Sequence, residues 1–369
     1  MAAIVDQTIP SSSTFNALTR EYLYGFLADN VFLDTPTLAK FKSRINYIDG
    51  RNEQPLVEYA RASQGGWYGH GAVIADADLQ ALAAQIATRL SFTLARYRQL
   101  CVLDSWDTDV QGARAVVKLF TEYMRNIVSS AAEDISEAIF TGDPDDTDDI
   151  MTGLDIALDD TESWGNILPT DSGYEFWRPH FMEGTSTYAV AVPPSLANHR
   201  LLIRRMQATN KRKPDMIVTS ELIWDVLAAQ LDLNDVLTGQ DARKNEVVRW
   251  GYDAIFINGV PVVYDLNVPG EAWVTGQSTR ATAKGYQSMA LDFSSIWLSA
   301  NRKRSFAWDP RGWGRPFNMD AQANIFYAWL QLAGNNRRKQ GRIWNMDADL
   351  TLAQMAAIGI GTVTRPVAA

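Results

Sequence analysis

The side chains able to act as nucleophiles, bases or metal ligands are few and scattered. The histidines are His70, His180 and His199, and none neighbours another in sequence, whereas a multi-histidine metal site needs imidazoles at a ligand spacing. Cys101 is the one cysteine and has no histidine nearby. The chain contains no GxSxG elbow, no GxxxxGK[ST] phosphate loop and no HExxH pair. Asp159, Asp160 and Glu162 imitate an acid–base pair, but such clusters are ordinary on solvated surfaces. The acidic run DPDDTDD at 143–149 lacks the glycine at the sixth position and the glutamate at the twelfth that a calcium loop requires, and reads as a solvated linker. No catalytic, cofactor or metal residue is therefore assigned. What remains is charge and aromatic contact. Basic clusters lie at Lys211–Arg212–Lys213, Arg302–Lys303–Arg304 and Arg337–Arg338–Lys339. The phrase RKRSFAWDPRGWGRP sets Arg302 and Arg304 beside Trp308 and Trp313, residue types enriched where subunits meet. Together with Arg337, Arg338 and a glycine-aromatic tip at Gly66, Trp67 and Tyr68, these are the candidate inter-subunit contacts, with Trp308 and Arg304 expected to matter more to assembly than to the fold.

The elements that would position these residues must come from a chain of 369 residues, too long for one small core and long enough for several parts. Its 46% hydrophobic and 21% charged content is that of a folded protein. A net charge of −9 argues against binding nucleic acid or anionic membrane through overall charge, so any basic function is local. One cysteine allows no internal disulfide, and no stretch reaches the ~18 apolar residues of a membrane span. The N-terminal MAAIVDQTIPSSSTF has no secretory pattern, so a soluble protein made in a reducing cytoplasm is expected.

Residues 1–47 read as an arm, and 48–85 as a hairpin-like excursion through QPLVEYARASQGGWYGHGAVIADADL. Its returning limb alternates, with Ile86, Leu90, Phe92 and Leu94 on one side and Arg89, Ser91 and Thr93 on the other. Over 107–140, Ala113, Val117, Phe120, Met124, Ile127, Ala131, Ile135 and Ala138 step by three or four, which predicts one long amphipathic helix. Thr108 and Gln111 form a capping box, Gly142 and Pro144 end the helix, and its length would be about 50 Å. Residues 149–286 read as an α/β unit with helices over 194–208 and 221–231, a strand at 216–218 and a hairpin in DAIFINGVPVVYD turning at Asn258–Gly259. Strand-like runs at 296–298, 305–308 and 325–332 belong to a closing part, 287–346, followed by a tail at 347–369.

In this order, QGGWYGHG, ATRLSFTLARYRQL, the long helix, GLDIALDD with WGNI and FWRP, KPDMIVTSELIWDVL, GYDAIFINGVPVVYD and NMDAQANIFYAWLQLAGNNRRKQG resemble the major capsid proteins of tailed bacteriophages. The resemblance runs from about Phe41 to Met346. It implies an α+β chain with the Hong Kong phage (HK97-like) capsid fold: N-terminal arm, extended β-hairpin loop, return strand and spine helix (86–148), peripheral domain and axial α/β domain. It further implies a structural, non-enzymatic protein that self-assembles into pentamers and hexamers of an icosahedral shell around double-stranded DNA, each extended loop lying over a neighbour. The partners implied are a separate scaffolding protein, a portal protein, decoration proteins and weakly held DNA, with assembly in the host cytoplasm and residence in the virion. No lysine lies near Gly65 to Gly71, so the lysine–asparagine cross-link of some relatives is not carried over. An encapsulin-like compartment holding protein cargo and a hydrolase built on the α/β unit are the alternatives. Co-purifying contents separate the first, and a nucleophile essential for turnover the second.

Overall fold

In the computed structural model, the described residues are 35–58, 87–104, 113–144, 150–183, 192, 194–232, 254–270, 285–311, 313–314 and 320–346. In chain order these form α1 (Pro36–Lys42), β1 (Ile45–Ile48), β2 (Asn52–Glu53), β3 (Leu56–Glu58), β4 (Ala87–Arg89), β5 (Phe92–Thr93) and β6 (Ala95–Asp104). The long helix α2 (Ala113–Thr141) is followed by α3 (Leu154–Ala157), β7 (His180–Met182), α4 (Leu196–Asn210), β8 (Met216–Thr219), α5 (Glu221–Asp232), β9 (Ala254–Ile257) and β10 (Val260–Tyr264). Last come β11 (Tyr286–Leu291), β12 (Ile296–Asn301), β13 (Ala307–Trp308), β14 (Ala321–Gly334) and β15 (Gly341–Met346).

Helix α2 carries the predicted apolar stripe, shifted by part of a turn. Met124, Val128, Ala131, Ala132, Ile135, Ile139 and Phe140 are buried, while Ile127 and Ala138 pack at its margins. The proposed capping box at Thr108 lies outside the described residues. The far end stops where expected, and the reason is a close approach of backbones. The Gly142 N–H donates to Ala138, the Gly153 N–H donates to the Gly142 carbonyl at 2.7 Å, and a β-carbon on Gly153 would stand 2.6 Å from the Gly142 nitrogen and 2.7 Å from the Phe140 oxygen.

The stripe faces a five-stranded sheet ordered β1-β12-β14-β13, with β6 on the opposite edge of β14. Along β14 the even positions Asn324, Phe326, Ala328, Leu330 and Leu332 are buried, while Ala323, Ile325, Tyr327 and Trp329 are half-exposed on the other face. A period of two thus divides one strand between the core and the outer surface.

The second sheet has six strands in the order β7-β15-β11-β8-β10-β9, and its inner strands β15, β11, β8 and β10 are buried on both faces. Met216 and Val218, Val263, Met289 and Leu291 point into the core shared with α2, whereas Ile217, Val262, Ala290 and Ile343 point into a second core with Leu202, Ile203, Met206, Ile223 and Leu227 from α4 and α5. Burial on both faces is why β8 reads in sequence as a continuous apolar run. The β9–β10 hairpin turns at Asn258 (φ 53°) and Gly259 (φ 78°), the left-handed pair that its Asn-Gly signal requires.

The division at residue 286 differs from the observed strand membership. β11 and β15, placed by the sequence in the closing part, pair with each other and with β8 and β7 inside the six-stranded sheet. The chain therefore passes from one sheet to the other after β11 and returns after β14, a long-range pairing that local periodicity does not encode. Between α4 and the six-stranded sheet His199 is fully buried, with Nδ1 2.9 Å from the Ser195 carbonyl and Nε2 3.1 Å from Ser288 Oγ, which in turn lies 2.8 Å from Thr219 Oγ1.

Burial lowers the His199 pKa to about 4. The unfolded chain then binds the extra proton first, so stability falls as pH drops from about 6.5 to about 4 and levels below that, by roughly 3 kcal/mol in all. Replacing His199 with Gln should flatten that part of a urea-denaturation pH series. Gly153→Ala should cost about 3 kcal/mol in the same measurement, because the atoms it meets are backbone and cannot yield.

Candidate assembly surfaces

Of the excursion predicted over 48–85, the described residues include the flanks, which pair as a base. β3 pairs antiparallel with β4 (Leu56 with Arg89, Glu58 with Ala87), and β2 pairs with β5 (Glu53 with Phe92). The intervening residues, including Gly66, Trp67 and Tyr68, lie outside the described residues. Two-residue and three-residue ladders are too short to stand alone, so the base needs other support. On one side the Glu53 carboxylate accepts from Asn46 Nδ2 (2.6 Å), from Trp297 Nε1 (3.1 Å) and from the Ser299 hydroxyl, tying β2 to β1 and β12. Desolvation by burial raises the Glu53 pKa against the opposing pull of those donors. On the other side Leu90 and Phe92 are buried, as their alternation predicted, and Phe92 packs on Trp164 at 5.2 Å between ring centres. The carbonyl of Gly165, a residue at φ 67°, accepts from the Ser91 N–H, and Trp164 stacks on Trp177, whose Nε1 donates to the Trp164 carbonyl at 3.0 Å. The WGNI and FWRP phrases are thus the socket for the base of the excursion.

The basic clusters separate into different roles. Arg302 is exposed and pairs with exposed Asp49 at 3.4 Å, a surface ion pair worth about 0–1 kcal/mol. Arg304 lies over the rings of Tyr327 (4.4 Å) and Trp329 (5.7 Å) on the outer face of the five-stranded sheet. Arg338 is exposed and, with Arg205, bears on His180, whose pKa is lowered first by burial and then by these two charges. Arg337 is fully buried, unlike the exposed contact expected of it. Its guanidinium donates to the carbonyls of Ala157 (2.7 Å), Ile156 (2.6 Å), Glu162 (2.8 Å) and Asp159, closing the turn after α3. Five fixed N–H donors make arginine the side chain that can satisfy so many carbonyls at once. A triple basic run in sequence gave no sign that one member turns inward.

Trp308 and Trp313 are also buried within the subunit, at 4% and 6% exposure, with Trp308 edge-on to Phe326 at 5.4 Å. Their neighbour Asp309 is held below the usual carboxylate range by the hydrogen-bonded Arg311 guanidinium. Both tryptophans therefore belong to the shared core, which reverses the expectation that Trp308 matters chiefly between subunits.

Among the described residues no cluster of three or more histidine, cysteine or carboxylate side chains has metal-site geometry, and no helix is long and apolar enough to cross a membrane. The His199–Ser288 pair has the spacing of a base and a nucleophile, but both residues are fully buried. Cys101 is buried, which pushes its thiol pKa up to about 12. An open cleft of about 1010 Å³ runs from Ser91–Ala95 to Arg342, where Arg342 is ion-paired with Asp155 and lies 3.9 Å from Asp159.

No family model and no curated protein matches the sequence. Solved structures do. The capsid asymmetric unit of cyanophage A-1(L) aligns with a TM-score of 0.57 at 14% identity, covering 85% of this chain and 93% of that one. The capsid of an empty GTA particle aligns with a TM-score of 0.50 at 11% identity, covering 82% and 93%. The holo-SrpI encapsulin complex from Synechococcus elongatus PCC 7942 aligns at 0.46 and 10% identity, covering 83% and 85%. At such identities the likeness is one of fold, and the chain has the mixed helix-and-sheet HK97-like capsid fold.

Arg337→Met should destabilise the subunit by about 3–5 kcal/mol, since it leaves buried carbonyls without donors, whereas Arg302→Ala should change it by less than about 0.5 kcal/mol. Trp308→Ala should cost about 3–5 kcal/mol in the subunit itself, and equilibrium urea unfolding of the unassembled chain measures all three.

Proposed function

We propose that this chain is the major capsid protein of a tailed bacteriophage, a non-enzymatic subunit that assembles into pentamers and hexamers of an icosahedral shell around double-stranded DNA. The observation that carries the proposal is the fold, shared over most of both chains with a cyanophage capsid subunit. The physical design agrees with it. The 28 residues 59–86 connect two paired strands, β3 and β4, and the base those strands form is clamped from both sides. A closed shell made from one chain needs heterologous contacts, and segments extending from a rigid core accommodate five-fold and six-fold surroundings.

On this reading the assembly partners are further copies of the chain, a separate scaffolding protein, a portal protein and decoration proteins. The packaged DNA is held weakly, since a net charge of −9 leaves only local basic clusters to meet phosphate. Subunits assemble in the host bacterial cytoplasm and end in the virion.

Sedimentation of the wild-type chain and of a variant lacking Gly65 to Gly71, each co-expressed with the scaffolding protein, tests the proposal. Wild type should sediment as large closed particles. The variant should retain its circular dichroism spectrum and remain as unassembled subunits or small oligomers. Shells of normal yield and stability from the deletion would remove the assembly role of the tip. Wild-type particles filled with a protein cargo and free of nuclease-protected DNA would overturn the genome-container reading.

A further inference from the structure

The chain is acidic overall, with 43 Asp and Glu against 34 Lys and Arg, but three segments that pack together depart from that balance. Helix α4 carries Arg200, Arg204 and Arg205 and no Asp or Glu. The turn Arg337–Lys339 is basic throughout. Residues 178–182, RPHFM, add Arg178 and His180 and again no carboxylate. The three meet at Gly341. A β-carbon there would stand 2.8 Å from Met206 Sδ, 3.0 Å from Leu202 Cδ1 and 3.4 Å from the His180 carbonyl oxygen, so α4 lies directly against β15 and β7. The His180 N–H donates to the Gln340 carbonyl at 3.0 Å, which holds the turn 337–339 beside the same spot.

The cations of this surface lack anions. Arg204, Arg205 and Arg338 are exposed, and among the described residues none of the three is ion-paired. Arg338 and Arg205 both act on the half-buried His180 imidazole, so their charges lie close together, and the buried Nε2 of that ring has no hydrogen-bond partner among the described residues. Glu175, on the turn 175–177 that packs against 337–339, accepts from the Gly173 N–H of its own loop at 3.2 Å. The helix dipole gives no reason for Arg204 and Arg205, because the last turn of α4 holds no basic residue and the effect fades within one turn. The other basic runs are engaged differently. Arg212 pairs with Asp215 at 2.8 Å, Lys213 donates to the Asn258 carbonyl, Arg302 pairs with Asp49 and Arg304 stacks on Tyr327.

A surface of bare cations suits a partner recognised by charge. The exposed positions of α4 include no aromatic side chain and one large hydrophobic residue, Leu201, whereas a protein interface is anchored by aromatic and aliphatic groups around a charge-poor centre. Phosphate diesters need no such anchor, since a guanidinium meets two phosphate oxygens with parallel N–H donors. We propose that α4, the turn 337–339 and residues 178–180 form a phosphate-binding surface for the packaged duplex, with Arg204, Arg205 and Arg338 as its donors. The contact is to the DNA backbone and carries no sequence preference. This inference rests on the genome-container reading, to which it adds the face of the subunit that is turned toward the particle interior.

Binding of a short DNA duplex to the full chain, followed across a salt series, tests the surface. The variant Arg204→Gln/Arg205→Gln/Arg338→Gln is compared with Arg96→Gln/Arg98→Gln/Arg302→Gln, which removes the same charge from the five-stranded sheet, with circular dichroism as the folding control. The first should weaken binding by about ten-fold or more at low salt and flatten the slope of log affinity against log salt by about 2 to 3, as three lost phosphate contacts require. The second should bind within about three-fold of wild type. If the first variant does not fold, Arg204→Gln and Arg338→Gln made singly should each flatten the slope by about 1. A second readout is the ring-proton signal of His180, identified with His180→Gln. Added duplex should raise its pKa in wild type, because phosphates beside Arg205 and Arg338 cancel the charges that lower it, and should leave it unmoved in the first variant. No binding by wild type at low salt, an unchanged slope in the α4 variants, or equal loss in both triple variants would overturn the proposal. Particles whose DNA density meets a different face of the subunit would overturn it while leaving the genome reading intact. Wild-type particles without nuclease-protected DNA would overturn the genome reading and the proposal with it.

Discussion

The fourteen-residue strand β14 is the constraint to which the rest of the subunit is referred. It pairs with β12 and β13 along one edge and with β6 along the other over ten consecutive residue pairs. Its even positions build the core under α2, and its odd positions present the arginine–aromatic rows outward. A slip of one residue would exchange those two faces, putting Tyr327 and Trp329 in the core and Phe326 and Leu330 in solvent, so the register is fixed by burial on one side alone. Through β6 the same strand sets the direction of the segment arriving from β4 and β5, and hence the base of the excursion.

The two crossings between the sheets impose a second requirement. After β14 the chain must turn sharply and enter the six-stranded sheet as β15, and it does so through buried polar side chains. Arg337 gathers four carbonyls near α3, Gln340 donates to Asp292 and Ser295, and Arg342 joins Gln287 and Asp155. Burying such groups is favourable only when each finds its partners, and a satisfied network of this kind fixes one geometry where an apolar contact would allow several. The α3 turn, the socket at Trp164 and the passage from β14 to β15 are consequently one rigid unit.

Much of the architecture was legible in the sequence, and the parts that were legible are local. The stripe of α2, the alternation of Leu90, Phe92 and Leu94, and the Asn258–Gly259 turn each declare themselves through spacing or backbone preference within a few residues. Strand membership did not, because the pairing of β11 and β15 with β8 and β7 joins residues far apart in the chain. Site reading divided the same way. Tryptophan beside arginine suggested surface contact at Trp308 and Trp313, yet both rings lie in the core, and Arg337 is indistinguishable in sequence from its exposed neighbour Arg338. The row of Arg96 and Arg98 against Tyr327 and Trp329 exists only once β6 and β14 are in register.

A fold that spends its rigidity on a clamped base and a divided central strand suits a subunit whose work is mechanical. On the proposed reading, the chemistry at the surface serves the recognition of one copy by another through ion pairs and stacked rings, each weak in a single copy and multiplied over many identical contacts. The most direct test is cryo electron microscopy of the protein purified after co-expression with the proposed scaffolding protein. Closed icosahedral particles in which this one chain forms both five-membered and six-membered rings are expected. A small discrete oligomer that persists with and without the scaffolding protein would contradict that reading.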